Sequence, residues 1–219
     1  MSADVDLLAH QIRPAAGQAS GAIVLLHGRG TNEFDLLGVL DEIDPGRRLV
    51  GVTPRAPLEL TPGGFHWYVS RQVGHPDPET FRQSFALLAR WLDALPEALG
   101  VPWSQTVLGG FSMGAVMSYA LGVGAGRPAP AAIIALSGFI PTVEGFALDT
   151  TRLSEGFPIA IGHGTQDPVI SVQFGRQAHR LLEQAGARVL YRESPMGHSV
   201  DPAFLRDLRE WVAEVLDAR

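Results

Sequence analysis

The chain of 219 residues contains no cysteine. Disulfides, thiolate metal sites and a cysteine nucleophile are thereby excluded. Lysine is missing too: all 17 basic residues are arginine, so no Schiff-base or catalytic lysine is available. Charged residues make up only 18% and the formal net charge is −6, which leaves no basic surplus for a nucleic-acid partner. No apolar run reaches the roughly 18 residues of a membrane-crossing helix. The opening MSADVDLLAHQIRP sets two aspartates before any apolar stretch and lacks the hydrophobic region of a secretory signal. These absences predict a cytoplasmic protein with no membrane span. No metal-binding spacing of His, Asp and Glu is present, and neither a metal nor a cofactor is expected.

What is abundant is apolar. At 46% hydrophobic residues the chain is globular in composition and long enough for one well-filled core, so a single domain over 1–219 is expected. Apolar runs at 22–26, 48–53, 106–111, 131–136, 158–161 and 188–191 suit strands buried on both faces of a mostly parallel sheet. Between them lie helical patterns. Asp77-Pro78-Glu79 reads as a helix start, followed by Phe81, Phe85, Leu88, Leu92 and Leu95 at helical spacing. Ser171 and Asp201-Pro202 open two further helices, and Asn32, with Asp35 three residues on, opens a shorter one. The alternation predicts an α/β sandwich with right-handed crossovers and no insertion long enough for a separate lid domain.

Gly110-Phe111-Ser112-Met113-Gly114 follows one of these strands and precedes an Ala- and Met-rich helix. That context suits a nucleophile elbow, in which a serine on a strained strand-to-helix turn is flanked by glycines two residues away on each side. A serine hydroxyl needs a base, and the base needs an orienting acid. Downstream of Ser112 lie His163, His179 and His198. His179 falls within a helix, and His163 precedes the best acid, against the order Ser, acid, His expected of this architecture. His198, in a loop after the last strand, is the candidate base. Asp167 sits in a loop at a strand's carboxyl end, where sites assemble in open α/β sheets. Its rivals are Asp201, which has the context of a helix cap, and Asp149, in an irregular polar stretch. The backbone N–H of Met113, just after the nucleophile, and that of Arg29, in the Gly-flanked loop after the first run, are the candidate oxyanion donors. His27 reads as a brace for that loop. Phe65, Trp67, Tyr68, Phe139 and Ile140 lie in loops near the expected site and are candidate substrate-binding residues. Arg71, His66 and His75 read as solvent-facing.

Taken together, LHGRG at 26–30, GFSMG at 110–114, LSGFIP at 136–141, HGTQDPVI at 163–170 and GHS at 197–199 resemble the phospholipase/carboxylesterase family of α/β-hydrolases, which includes bacterial carboxylesterases and acyl-protein thioesterases. The resemblance implies the α/β-hydrolase fold, a triad of Ser112, Asp167 and His198, and oxyanion amides from Arg29 and Met113. It implies a small-molecule ester as substrate, with lysophospholipid or acyl-thioester hydrolysis as the alternative and a ligand-binding relative of negligible turnover as a further one. The family's thioesterases usually carry Gln and then two glycines after the nucleophile. Here Met113, Gly114 and Ala115 follow, and the segment 60–78 with its Phe-His-Trp-Tyr also departs, both of which speak against protein substrates; the HGRGTNEFDLL opening at 27–37 looks more like the bacterial esterase branch. With no insertion long enough for a lid, and with bulky Phe65, Trp67, Tyr68 and Phe139 in loops expected to border the nucleophile, short acyl chains are the expected substrates.

Overall fold

A computed structural model describes residues 3–218. Seven strands form its central sheet: β1 (His10–Arg13), β2 (Ala22–Leu26), β3 (Val50–Pro54), β4 (Thr106–Phe111), β5 (Ala132–Leu136), β6 (Pro158–Gly164) and β7 (Arg188–Ser194). They lie in the order β1-β3-β2-β4-β5-β6-β7, all parallel except β1, which pairs antiparallel with β3 at the edge. This is the α/β-hydrolase fold.

Strand alternation explains why both faces must be covered. Ile23 and Leu25 of β2, Val107 of β4 and Ile134 of β5 point to one face, with Val24, Leu26, Leu108 and Ile133 on the other; all are essentially fully buried. The first face is covered by helices α1 (Leu37–Ile43) and α6 (Pro202–Asp217), through Leu40, Phe204, Leu208 and Val212. The second is covered by α2 (Pro78–Leu99), α3 (Met113–Val123) and α5 (Val172–Gln184), through Leu88, Leu92, Val116, Met117, Ala178 and Leu182. Burying each such aliphatic side chain contributes on the order of 2 kcal/mol. Helix α3 is buried along its whole length, which explains why its sequence is apolar all round. A short α4 (Thr150–Ser154) precedes β6. The segment between β3 and α2 carries two small antiparallel hairpins, Leu58–Glu59 with Phe65–His66 and Ser70–Gln72 with His75–Pro76, and no separate lid. Among the described residues no helix is long and apolar enough to cross a membrane.

The structure amends several expected boundaries. Asn32 caps no helix: its Oδ1 accepts the N–H of Phe34 in a tight turn, and α1 starts five residues later, after Leu36. β6 and β7 each run three residues beyond the apolar stretch, because His163 pairs with Glu193 and Gly164 with Ser194 in continuous parallel register. That extension positions the site. It brings the loop after β6 beside the loop after β7, where Thr165 and Gln166 donate their N–H groups to Ser194 O and Met196 O.

Candidate active site

Ser112 stands between β4 and α3 with φ 55° and ψ −118°, a conformation L-residues avoid. Three features hold it there. The Ser112 N–H donates to Leu136 O of the neighbouring strand at 2.9 Å. Its flanking glycines allow the sheet and helix to close on each other: a Cβ on Gly110 would lie 2.5 Å from the backbone carbon of Gly114, and one on Gly114 would lie 1.9 Å from Leu26 O. Neither approach is tolerable for a side chain. Gly114→Ala is therefore expected to destabilise the protein by about 3 kcal/mol through enforced backbone shifts, lowering Tm by roughly 6–12 °C for a chain of this size. Thermal denaturation checks this; an unchanged Tm would mean that the elbow has slack the distances deny.

His198 Nε2 lies 3.0 Å from Ser112 Oγ, and His198 Nδ1 lies 2.7 Å from Asp167 Oδ2. A carboxylate only accepts, so Nδ1–H donates to Asp167 and the Nε2 lone pair faces the serine hydroxyl. The Asp167 side chain is fully buried, and its other oxygen accepts the N–H groups of Val169 and Ile170, both at 2.8 Å. The Phe111 ring packs 4.7 Å from the imidazole, limiting its motion. The rival acids are engaged elsewhere. Asp149 accepts the N–H of Arg152 at the start of α4. Asp201 caps α6 through the N–H of Ala203 and also accepts from Ser194 Oγ.

The other two downstream histidines make contacts away from Ser112. His163 Nε2–H donates to Ile170 O at 2.8 Å, bracing the loop that carries Asp167, and burial lowers its pKa so that the ring is neutral. His179 is half-buried, stacked on Tyr191 and paired with Glu183.

The loop after β2 is bolted from several sides. His27 Nε2 accepts the N–H of Ala56 at 3.0 Å, so Nδ1 carries the proton and donates to Gly28 O at 2.6 Å. Burial lowers the His27 pKa, keeping this neutral brace in place. Trp67 Nε1–H donates to His27 O, and the N–H of Gly30 donates to Phe65 O. Among the described residues, the N–H groups of Arg29 and Met113 donate to no protein acceptor. That of Met113 is one of the orphan donors at the start of α3, where the helix dipole is positive.

Ser112, Met113 and Arg29 share one open cleft of about 340 Å³ with Tyr68, Phe139 and Ile170. Of the five expected pocket residues, Tyr68 and Phe139 line this cleft. Trp67 does not: it is fully buried beneath the loop after β2, where its N–H finds a carbonyl partner. Phe65 also lies elsewhere, bridged to Thr31 through its backbone and with its ring under the Arg55 guanidinium. Ile140 lines a smaller neighbouring pocket with Phe139 and Phe174. His66 is buried rather than solvent-facing, its Nδ1–H donating to Tyr68 O. The cleft's remaining lining, including Ser70, Gln72 and Val73 of the second hairpin, had no local signal in the sequence.

Known proteins agree with this architecture. A family model described as Phospholipase/Carboxylesterase matches residues 8–216. The acyl-protein thioesterase 1 of Debaryomyces hansenii is 28% identical over 94% of this chain and 96% of its own. Among solved structures, esterase PE8 superposes with a TM-score of 0.80 at 26% identity, covering 95% of this chain and 99% of that one. The Bacillus cereus carboxylesterase gives a TM-score of 0.83 at 22% identity, covering 98% and 100% respectively.

Proposed function

The chain belongs to the phospholipase/carboxylesterase family, and on that premise we propose that it is a serine carboxylesterase acting on short-chain esters through Ser112, His198 and Asp167. The observation that carries this reading is the continuous relay from Ser112 Oγ through His198 to the buried Asp167, at 3.0 and 2.7 Å. Ser112 Oγ attacks the ester carbonyl while His198 Nε2 takes the hydroxyl proton, and Asp167 stabilises the imidazolium that forms. The N–H groups of Met113 and Arg29 receive the carbonyl oxygen as it becomes an oxyanion. His198 returns its proton to the departing alkoxide, leaving an acyl-serine. Water, deprotonated by the same imidazole, cleaves the acyl-serine and restores Ser112.

The preference for short chains rests on the cleft. Its volume of about 340 Å³ is near the lower end of small-molecule sites, about 300–1,000 Å³, and the rings of Tyr68 and Phe139 border it. Each buried methylene adds roughly 0.8 kcal/mol while there is room for it. Beyond that length Tyr68 and Phe139 close the cleft, and forcing further methylenes against them costs packing energy. Across p-nitrophenyl esters from acetate to palmitate, with detergent controls, kcat/KM is expected to peak among the short acyl groups and then fall. A steady rise through palmitate would move the reading to the thioesterase or lysophospholipase branch. The thioesterase name borne by the Debaryomyces relative favours including a thioester in the panel.

A further inference from the structure

The charged side chains lining the cleft beside Ser112 are Arg29 and Arg71, with no aspartate or glutamate among the lining residues. On a chain of net charge −6 this is a local inversion of sign. It is also unusual in its lack of partners. Arg55 and Arg176 are each clamped by a carboxylate, Glu33 and Glu193. Among the described residues no carboxylate pairs with Arg29 or Arg71. Asp77 is near enough to feel Arg71 but forms no ion pair with it: its Oδ1 accepts both the N–H and the hydroxyl of Thr80 at the start of α2. The triad's own acid, Asp167, is fully buried behind His198.

Both arginines spring from anchored backbone. Arg29 lies in the loop held by His27, Trp67 and Phe65. Arg71 lies in the second hairpin, which Thr142 ties down by donating its hydroxyl to Gly74 O. We propose that the two guanidinium groups select substrates carrying a carboxylate, so that the preferred ester is an acidic one. The inference rests on the esterase reading and deepens it. A guanidinium fork matches the two oxygens of a carboxylate, and two forks at one opening also draw anions toward the nucleophile. Both side chains are exposed, so solvent screens them and the expected advantage is about five- to tenfold in kcat/KM. The rest of the cleft, with Tyr68, Val73, Phe139 and Ile170, supplies apolar surface for a short connecting chain.

The test compares p-nitrophenyl butyrate with two anionic esters: the mono-p-nitrophenyl ester of glutaric acid, acidic in its acyl part, and 4-(butyryloxy)benzoate, acidic in its leaving group. Each is assayed with wild type and with Arg71→Lys, Arg71→Gln and Arg71→Glu. The quantity read is the anionic-to-neutral ratio of kcat/KM in each protein. Its change along the series cancels both the intrinsic reactivity of the esters and any loss of folded enzyme. For at least one anionic ester the ratio is expected to fall several-fold from wild type to Arg71→Gln, mainly through KM. It should fall further in Arg71→Glu and be largely retained in Arg71→Lys. The wild-type ratio should also shrink as salt rises, more steeply than in Arg71→Gln. Whichever acidic ester responds identifies the side of the scissile bond that the arginines read. A ratio that stays level across the series for both anionic esters overturns the inference while leaving the esterase intact. Absence of turnover with every ester, in wild type, overturns the esterase reading and this inference with it.

Discussion

Ser112→Ala is expected to lower kcat for ester hydrolysis by on the order of 10⁶, because triad members act as a unit and the nucleophile has no substitute. The variant should nonetheless fold. The substitution removes one oxygen from the edge of the cleft, and the contacts that hold the elbow are made by backbone: the Ser112 N–H on Leu136 O and the close approach of Gly114 to Leu26. Circular dichroism and thermal melting should therefore be close to wild type while turnover is lost. A fluorophosphonate should label the wild-type protein at Ser112 and leave the variant unlabelled. The neighbouring hydroxyls make poor nucleophiles: Ser118 is fully buried and donates to Gly114 O, and Ser137 is buried with no base beside it. A variant that kept even about a tenth of its activity, far above the residue expected of a broken triad, would mean that the reacting group is elsewhere.

What the sequence disclosed follows from which signals are local. The interior strands β2, β4, β5 and β6 are legible because each carries a run of apolar residues buried on both faces of the sheet; the edge strand β7 shows a similar run although it is only partly buried. The GFSMG turn is legible because a positive-φ serine needs its glycines within two residues, so the whole device fits in five positions. β1 carries no such signal. His10–Arg13 is a four-residue edge strand whose only aliphatic side chain, Ile12, is exposed, while its buried residue is Arg13. That arginine is held by Asp44 at 2.6 Å, and Asp44 also accepts the N–H groups of Arg48 and Leu49. The two charges are 31 residues apart, and neither is marked locally as the other's partner.

The same distinction separates the parts of the site. Ser112, His198 and Asp167 each carry a local cue, a turn motif or a strand-end loop. Whether a loop aromatic faces the cleft or the core depends on how the hairpins between β3 and α2 lie against the loop after β2. Trp67 and Tyr68 are adjacent and both almost fully buried, yet one underpins that loop and the other borders the cleft. Arg71 has no local mark distinguishing it from any exposed arginine; only the absence of a carboxylate around the cleft does.

Asp167→Asn is expected to cost about 10⁴ in kcat while leaving the fold and the cleft in place. The cause is a tautomer. In the native site the Asp167 oxygen on His198 can only accept, so the imidazole proton sits on Nδ1 and Nε2 is free to take the proton of Ser112. The other Asp167 oxygen accepts two backbone N–H groups, from Val169 and Ile170. An asparagine must keep its carbonyl oxygen on those two donors, since turning its amide toward them would set donor against donor in a buried site. Its NH₂ then faces His198 Nδ1 and can only donate. The imidazole answers by moving its proton to Nε2, which points at Ser112 and can no longer act as a base. Asp149→Asn and Asp201→Asn are the matched controls. Each replaces a helix-capping aspartate, and asparagine caps about as well as aspartate. The partly exposed ion pairs lost with Arg152 and Arg192 are worth about 1 kcal/mol at most, a stability cost that leaves the triad untouched. Steady-state kcat for the three variants, with melting curves to certify folding, separates the roles. If Asp201→Asn or Asp149→Asn proved as damaging as Asp167→Asn, the buried carboxylate 2.7 Å from His198 would not be the acid that orients the base.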